Sequence, residues 1–203
     1  MSTFNYEKCL NSNTNNKLIL LLHGYGSNEN DLFSFKPFIP KSFNIYSLRA
    51  PISIGYGYAW FDINFDNEFG VRSDKSDVLN AKKYIESFLE IHSKNYKNIY
   101  LIGFSQGAML SYLVGLTNNF VSGICCLSGW VDTRFLNFTN KTSNIYASHG
   151  KNDTVVPYDI ARKSVDLLSN SGFNINFNSF DSGHGVNQKN LDSLISWLNN
   201  LNT

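Results

Sequence analysis

The run NIYLIGFSQGAMLSYLVGL, Asn98–Leu116, decides how the chain is read. Its first part, NIYLIGF, is a short apolar run suited to a buried strand, and its last part, GAMLSYLVGL, has the character of an apolar helix. Between them Ser105 stands two residues from Gly103 and two from Gly107. Strand, sharp turn and helix form the context in which a G-x-S-x-G motif presents its serine hydroxyl at the top of a parallel sheet. The competing role for Ser105 is a helix N-cap, whose side-chain oxygen accepts a backbone N–H.

The pattern repeats on both sides of this run. Strand-like segments recur at KLILLLH (17 to 23), FNIYSLRA (43 to 50), GICCLSG (123 to 129), NIYASHG (144 to 150) and INFNSF (175 to 180), with FNYEKCL near the start as a weaker one. Helical spacing falls between them: Val78, Ala81, Ile85, Phe88 and Leu89 share one face, as do Leu191, Leu194, Ile195 and Leu198. Pro157 suits the first turn of a helix reaching about Asn170. Strands alternating with helices predict an α/β fold, a mostly parallel central sheet with helices on both faces, and residues 1–203 are read as a single domain. Residues 51 to 72, PISIGYGYAWFDINFDNEFGVR, fit neither period. An irregular connection of that length in a compact domain is often functional, the alternative being a hydrophobic flap over the sheet edge.

Composition narrows the partners. In 203 residues, 42% are hydrophobic, enough for a sizeable core, and the formal charge of +1 with no long Lys/Arg run argues against nucleic acid or an anionic membrane surface as partner. The start, MSTFNYEKCLNSNT, lacks a basic segment followed by an apolar one. The longest aliphatic block, Leu18 to Leu22, falls far short of the roughly 18 apolar residues that a membrane span needs. A soluble cytoplasmic protein without stable membrane insertion is the expectation, as monomer or homodimer. Three cysteines, an odd number, fit a reducing compartment. Cys125 and Cys126 are adjacent, so on a strand they face opposite sides as small core residues.

A serine hydroxyl becomes a useful nucleophile when a histidine takes its proton and an acid orients that histidine. Of the four histidines, His92 lies in a charged helix end and is expected to face water, while His23 and His149 each close a strand before a glycine. His184, in FDSGHGVN, follows the last strand and precedes the last helix, where the chain order serine, acid, histidine places the base. For the acid, Asp153 in SHGKNDTVVP follows a strand's carboxyl end and precedes the histidine; Asp181 is the rival by closeness to His184, and Asp132 a distant third. The backbone N–H of Gln106 supplies one oxyanion donor by position, and Tyr25, in LLHGYGSNEND, is the candidate for the other. No phosphate loop, dinucleotide fingerprint or metal-ligand spacing is present, so no cofactor and no metal is expected.

Taken in order, LLHGYGSNENDLF, GFSQGAML, LSG, SHGKNDTVVP and GHGV resemble the phospholipase/carboxylesterase family of α/β-hydrolases, which includes acyl-protein thioesterases and small bacterial carboxylesterases. The resemblance covers nearly the whole chain. It implies an α/β-hydrolase fold with no separate lid domain, a triad of Ser105, Asp153 and His184, and an oxyanion hole from the N–H groups of Tyr25 and Gln106. It also maps Trp60-Phe61-Asp62 onto a segment that walls the acyl pocket in that family, which makes Trp60 and Phe61 candidate substrate-binding residues. Tyr25 departs from the smaller or aliphatic residue usual after the HG. The activity implied is hydrolysis of small-molecule esters, thioesters or lysophospholipids by a serine hydrolase; the alternatives are a phospholipase and a non-catalytic ligand-binding protein on the same fold.

Overall fold

The computed structural model describes residues 3–11, 16–66, 70–141 and 143–201. The elements run β1 (Tyr6–Cys9), β2 (Lys17–Leu22), α1 (Asn30–Phe33), β3 (Asn44–Leu48), β4 (Ile52–Ser53), β5 (Tyr58–Ala59), β6 (Asn64–Asp66), β7 (Gly70–Arg72), α2 (Lys75–His92), β8 (Asn98–Phe104), α3 (Gln106–Thr117), β9 (Val121–Leu127), β10 (Asn144–Gly150), α4 (Tyr158–Asn170), β11 (Ile175–Phe180) and α5 (Gln188–Asn200). Seven strands form the central sheet in the order β1-β3-β2-β8-β9-β10-β11. All its pairings are parallel except the edge pair β1–β3.

The near-continuous apolar strands follow from burial on both faces. In β2, Leu18, Leu20 and Leu22 point into one apolar cluster with α2 and α3, while Ile19 and Leu21 point into the other, with α1 and α5. Cys125 and Cys126 divide between the same two clusters, as the strand's period of two requires. The face of α2 predicted from spacing is buried at all five positions, and in α5 Trp197 joins Leu191, Leu194 and Leu198 in the core. Pro157 sits at the N-cap of α4.

Two expectations change. His92 is half-buried rather than turned to water: its ring lies 4.4 Å from that of Phe88 and packs against Tyr6 and Tyr46, because the end of α2 lands on the aromatic edge of β1 and β3. The segment 51 to 72 is not irregular throughout. It folds into two antiparallel pairs, β4 with β5 and β6 with β7. Residues 67–69 within it lie outside the described residues. No helix among the described residues is long and apolar enough to cross a membrane.

The sheet sets where chemistry can gather. In-register neighbours Leu22 and Gly103, Phe104 and Leu127, and Gly150 and Phe180 end their strands along one edge. The loops carrying Tyr25, Ser105, Asp153 and His184 all leave from that carboxyl edge, where open α/β sheets place their sites.

Candidate active site

The turn at Ser105 is built by exclusion of side chains. A Cβ on Gly103 would lie 2.2 Å from the Gly107 carbonyl oxygen, and one on Gly107 would lie 2.0 Å from that of Leu22. Only glycine at both places lets α3 start directly against β2 and β8. The close approach forces Ser105 itself to φ 54°, in the region L-residues avoid. Its hydroxyl makes no capping bond to α3, which removes the N-cap role. It lies instead 3.0 Å from His184 Nε2.

His184 Nδ1 is 2.7 Å from Asp153 Oδ2. A carboxylate oxygen only accepts, so Nδ1 carries the proton and Nε2 is left as an acceptor facing the serine hydroxyl. The imidazole also packs on Phe104, ring centroids 4.9 Å apart. Asp153 is held from every side: its Oδ1 accepts the N–H groups of Val155 and Val156 at 2.9 and 2.8 Å, and its side chain has no exposed surface. Asp181 takes no part. Its side chain is 83% exposed and pairs with Lys151 at 3.1 Å. Asp132 is turned away as well, chelated by Arg134.

His149, which closes β10 and has no role in the sequence reading, lies directly behind Asp153. His149 is fully buried, and its Nε2 is 2.8 Å from the Val156 carbonyl and 3.3 Å from Asp153 Oδ2. The carbonyl takes the one proton on Nε2, and burial pushes the imidazole pKa down, so the ring is neutral and its proton is spent on Val156 rather than on Asp153. The signal available in the sequence was its place four residues before Asp153 at the end of a strand. His23 is buried and neutral by the same cause, its Nδ1–H donated to the Gly24 carbonyl at 2.8 Å and its Nε2 accepting from Ala50 N–H at 3.0 Å.

Tyr25, in the loop after β2, and Gln106, the first residue of α3, flank the serine. Gly26 and Ser27 donate their N–H groups to Tyr58 and Gly24, and Ala108 and Met109 donate theirs to Ser105. Among the described residues no turn or loop bond of this kind uses the N–H of Tyr25 or Gln106. Beside Ser105 opens a cavity of about 170 Å³ lined by Tyr25, Ile63, Gln106, Met109, Trp130, Val155, Val156 and His184. Trp60 and Phe61 do not line it. They are 1% and 0% exposed and lie under the site, so they offer a substrate no surface, contrary to the expectation from the resemblance. Trp130, in the loop after β9, supplies the aromatic wall instead.

A serine, a histidine and a buried aspartate meeting at the carboxyl edge of this sheet define an α/β-hydrolase. The chain belongs to the phospholipase/carboxylesterase family, whose model matches residues 9–202, and it is a hydrolase of the esterase class. It is 27% identical over 184 residues to the carboxylesterase SOBER1 of Arabidopsis thaliana, covering 85% of this chain and 77% of that protein. To acyl-protein thioesterase 1 of Candida albicans it is 30% identical over 174 residues, with 75% and 74% of the two chains covered. The crystal structure of the Bacillus cereus carboxylesterase superposes with a TM-score of 0.85 at 21% identity, over 98% of this chain and 95% of the other, which shows the shared fold.

Proposed function

We propose that the protein hydrolyses carboxylic esters or thioesters through an acyl-enzyme formed on Ser105. The observation that carries this reading is the unbroken line from Ser105 Oγ to His184 Nε2, 3.0 Å, and from His184 Nδ1 to Asp153, 2.7 Å. His184 takes the hydroxyl proton as Oγ attacks the acyl carbonyl. The oxyanion forms opposite the N–H groups of Tyr25 and Gln106, with the N-terminal end of α3 adding a favourable dipole. Collapse expels the alcohol or thiol, which leaves with the proton from His184, and water then repeats the cycle on the acyl group. Asp153 holds the Nδ1–H tautomer and balances the imidazolium. The apolar walls of the cavity, Ile63, Met109, Trp130, Val155 and Val156, suit an uncharged acyl group.

A fluorophosphonate probe tests the assignment. Wild type is expected to be labelled at Ser105, and Ser105→Ala to lose both labelling and ester turnover, the latter by about 10³-fold or more, while staying folded. Folded wild type that takes no label points to the non-catalytic binder, and turnover retained by Ser105→Ala rejects the nucleophile.

A further inference from the structure

The proposed oxyanion donors follow different strands, Tyr25 in the loop after β2 and Gln106 at the start of α3, and are 81 residues apart in sequence. An oxyanion hole works only if its donors keep a fixed separation, since donors must already point at the charge before it develops. Something has to hold Tyr25 and Gln106 in register. The segment Tyr58–Phe61 lies between them and bonds to both sides.

On the side of Tyr25, Tyr58 accepts the N–H of Gly26 at 3.0 Å and donates its own N–H to Ser27 at 2.8 Å, so the residues following Tyr25 are paired as a short antiparallel bridge. The Trp60 indole N–H donates to the His23 carbonyl at 2.8 Å, which ties down the residues preceding Tyr25. On the side of Gln106, the side-chain amide is committed at both ends. Its Oε1 accepts Trp60 N–H at 2.9 Å and its Nε2 donates to the Phe61 carbonyl at 2.7 Å. Gln106 is 1% exposed, so these bonds are shielded from water, and breaking either one leaves a buried backbone group without its partner.

We infer that Gln106 through its side chain, and Trp60 through its indole, are positioning residues: together they clasp the Tyr58–Phe61 strap across the nucleophile turn and so set the distance between the two oxyanion N–H groups. This rests on the proposed acyl-transfer function and deepens it. It also accounts for the two aromatic residues that lie beneath the site rather than in it. A clasp of this kind acts on the charged tetrahedral state far more than on the bound ester, because only the former depends on both donors at once.

Two variants test it. Gln106→Met keeps the backbone N–H and nearly the volume while removing both amide bonds; Trp60→Phe removes the indole N–H together with part of the buried ring, so its kcat is read against its Tm. With a short 4-nitrophenyl ester, kcat is expected to fall about 10- to 100-fold in the first and severalfold in the second, with KM changed less than about threefold, as displacement of a reacting group by about 1 Å predicts. Affinity for a trifluoromethyl ketone, which Ser105 converts to a tetrahedral oxyanion, should fall in parallel with kcat. A lower Tm with kcat retained, or a loss confined to KM, overturns the inference and leaves the bonds merely structural. Should Gln106→Met fail to fold, Trp60→Phe decides alone by the same criteria. Ser105→Ala measured alongside separates the failures: if it is inactive while both clasp variants keep kcat, the clasp alone is wrong.

Discussion

Asp153 Oδ2 accepts from His184 Nδ1 at 2.7 Å and lies 3.3 Å from His149 Nε2, whose proton goes to the Val156 carbonyl. The other carboxylate oxygen is saturated by two backbone N–H groups, so the carboxylate has a single orientation. An acid so placed holds the tautomer needed in each turnover, and its amide can cost on the order of 10⁴ in rate while geometry survives. Asp153→Asn is expected to show such a loss in kcat. Asp181→Asn, which removes only an exposed pair with Lys151, should stay within about tenfold in rate and about 0.5 kcal/mol in stability. Turnover of the two folded variants decides, and the reverse pattern would move the acid role to Asp181. That the fold brings Asp153 and not Asp181 to His184 was legible in chain order. The packing of His149 behind Asp153 was not, because the partner of a buried ring is set by which segment lies on its far side, and here that is the carbonyl of Val156.

At the scale of elements, the strand-turn-helix around Ser105 could be read from its two glycines, since both are demanded by contacts that any tight turn into this sheet would make. Substitution there tests the contact directly. Gly107→Ala puts a methyl 2.0 Å from a backbone oxygen of β2, which cannot swing aside, and should cost about 3 kcal/mol in urea unfolding. Gly185→Ala, beside His184 but with nothing within 4 Å of its Cβ, should change stability by less than about 0.5 kcal/mol. Equal effects would show that the turn can relax. The strap from 51 to 66 was the opposite case. Its hairpins are short, and two residues, as in β4 and β5, are too few to show an alternation. Its pairing with Gly26, Ser27 and Gln106 is long-range, and no local period encodes it.

At the scale of the whole molecule, a partly buried ion pair joins the loop after β2 to the residue following β3. The guanidinium of Arg49 grips both carboxylate oxygens of Glu29, and also reaches the Tyr58 hydroxyl of the strap at 3.3 Å. These bonds hold the Glu29 carboxyl below the usual glutamate range. A depressed folded-state pKa contributes stability in full above the range where an unfolded glutamate titrates, and that contribution is lost as pH falls through the folded group's own lower value. Glu29→Gln should therefore lower stability by about 2 kcal/mol at neutral pH and flatten the decline of Tm on acidification. A wild-type and variant Tm difference that is constant from neutral to acid pH would refute the linkage. The amino-acid sequence by itself determined the alternating sheet and helices, the tight turn at Ser105, and the order in which Ser105, Asp153 and His184 follow their strands, because periodicity, glycine contacts and position after a strand are local properties. Only the tertiary structure decided that Trp60 and Phe61 lie under the candidate site, that Trp130 walls it, and that the Gln106 side chain ties the start of α3 to Trp60 and Phe61. Those outcomes depend on which segments meet across the sheet edge, and burial there is settled by packing from all sides at once.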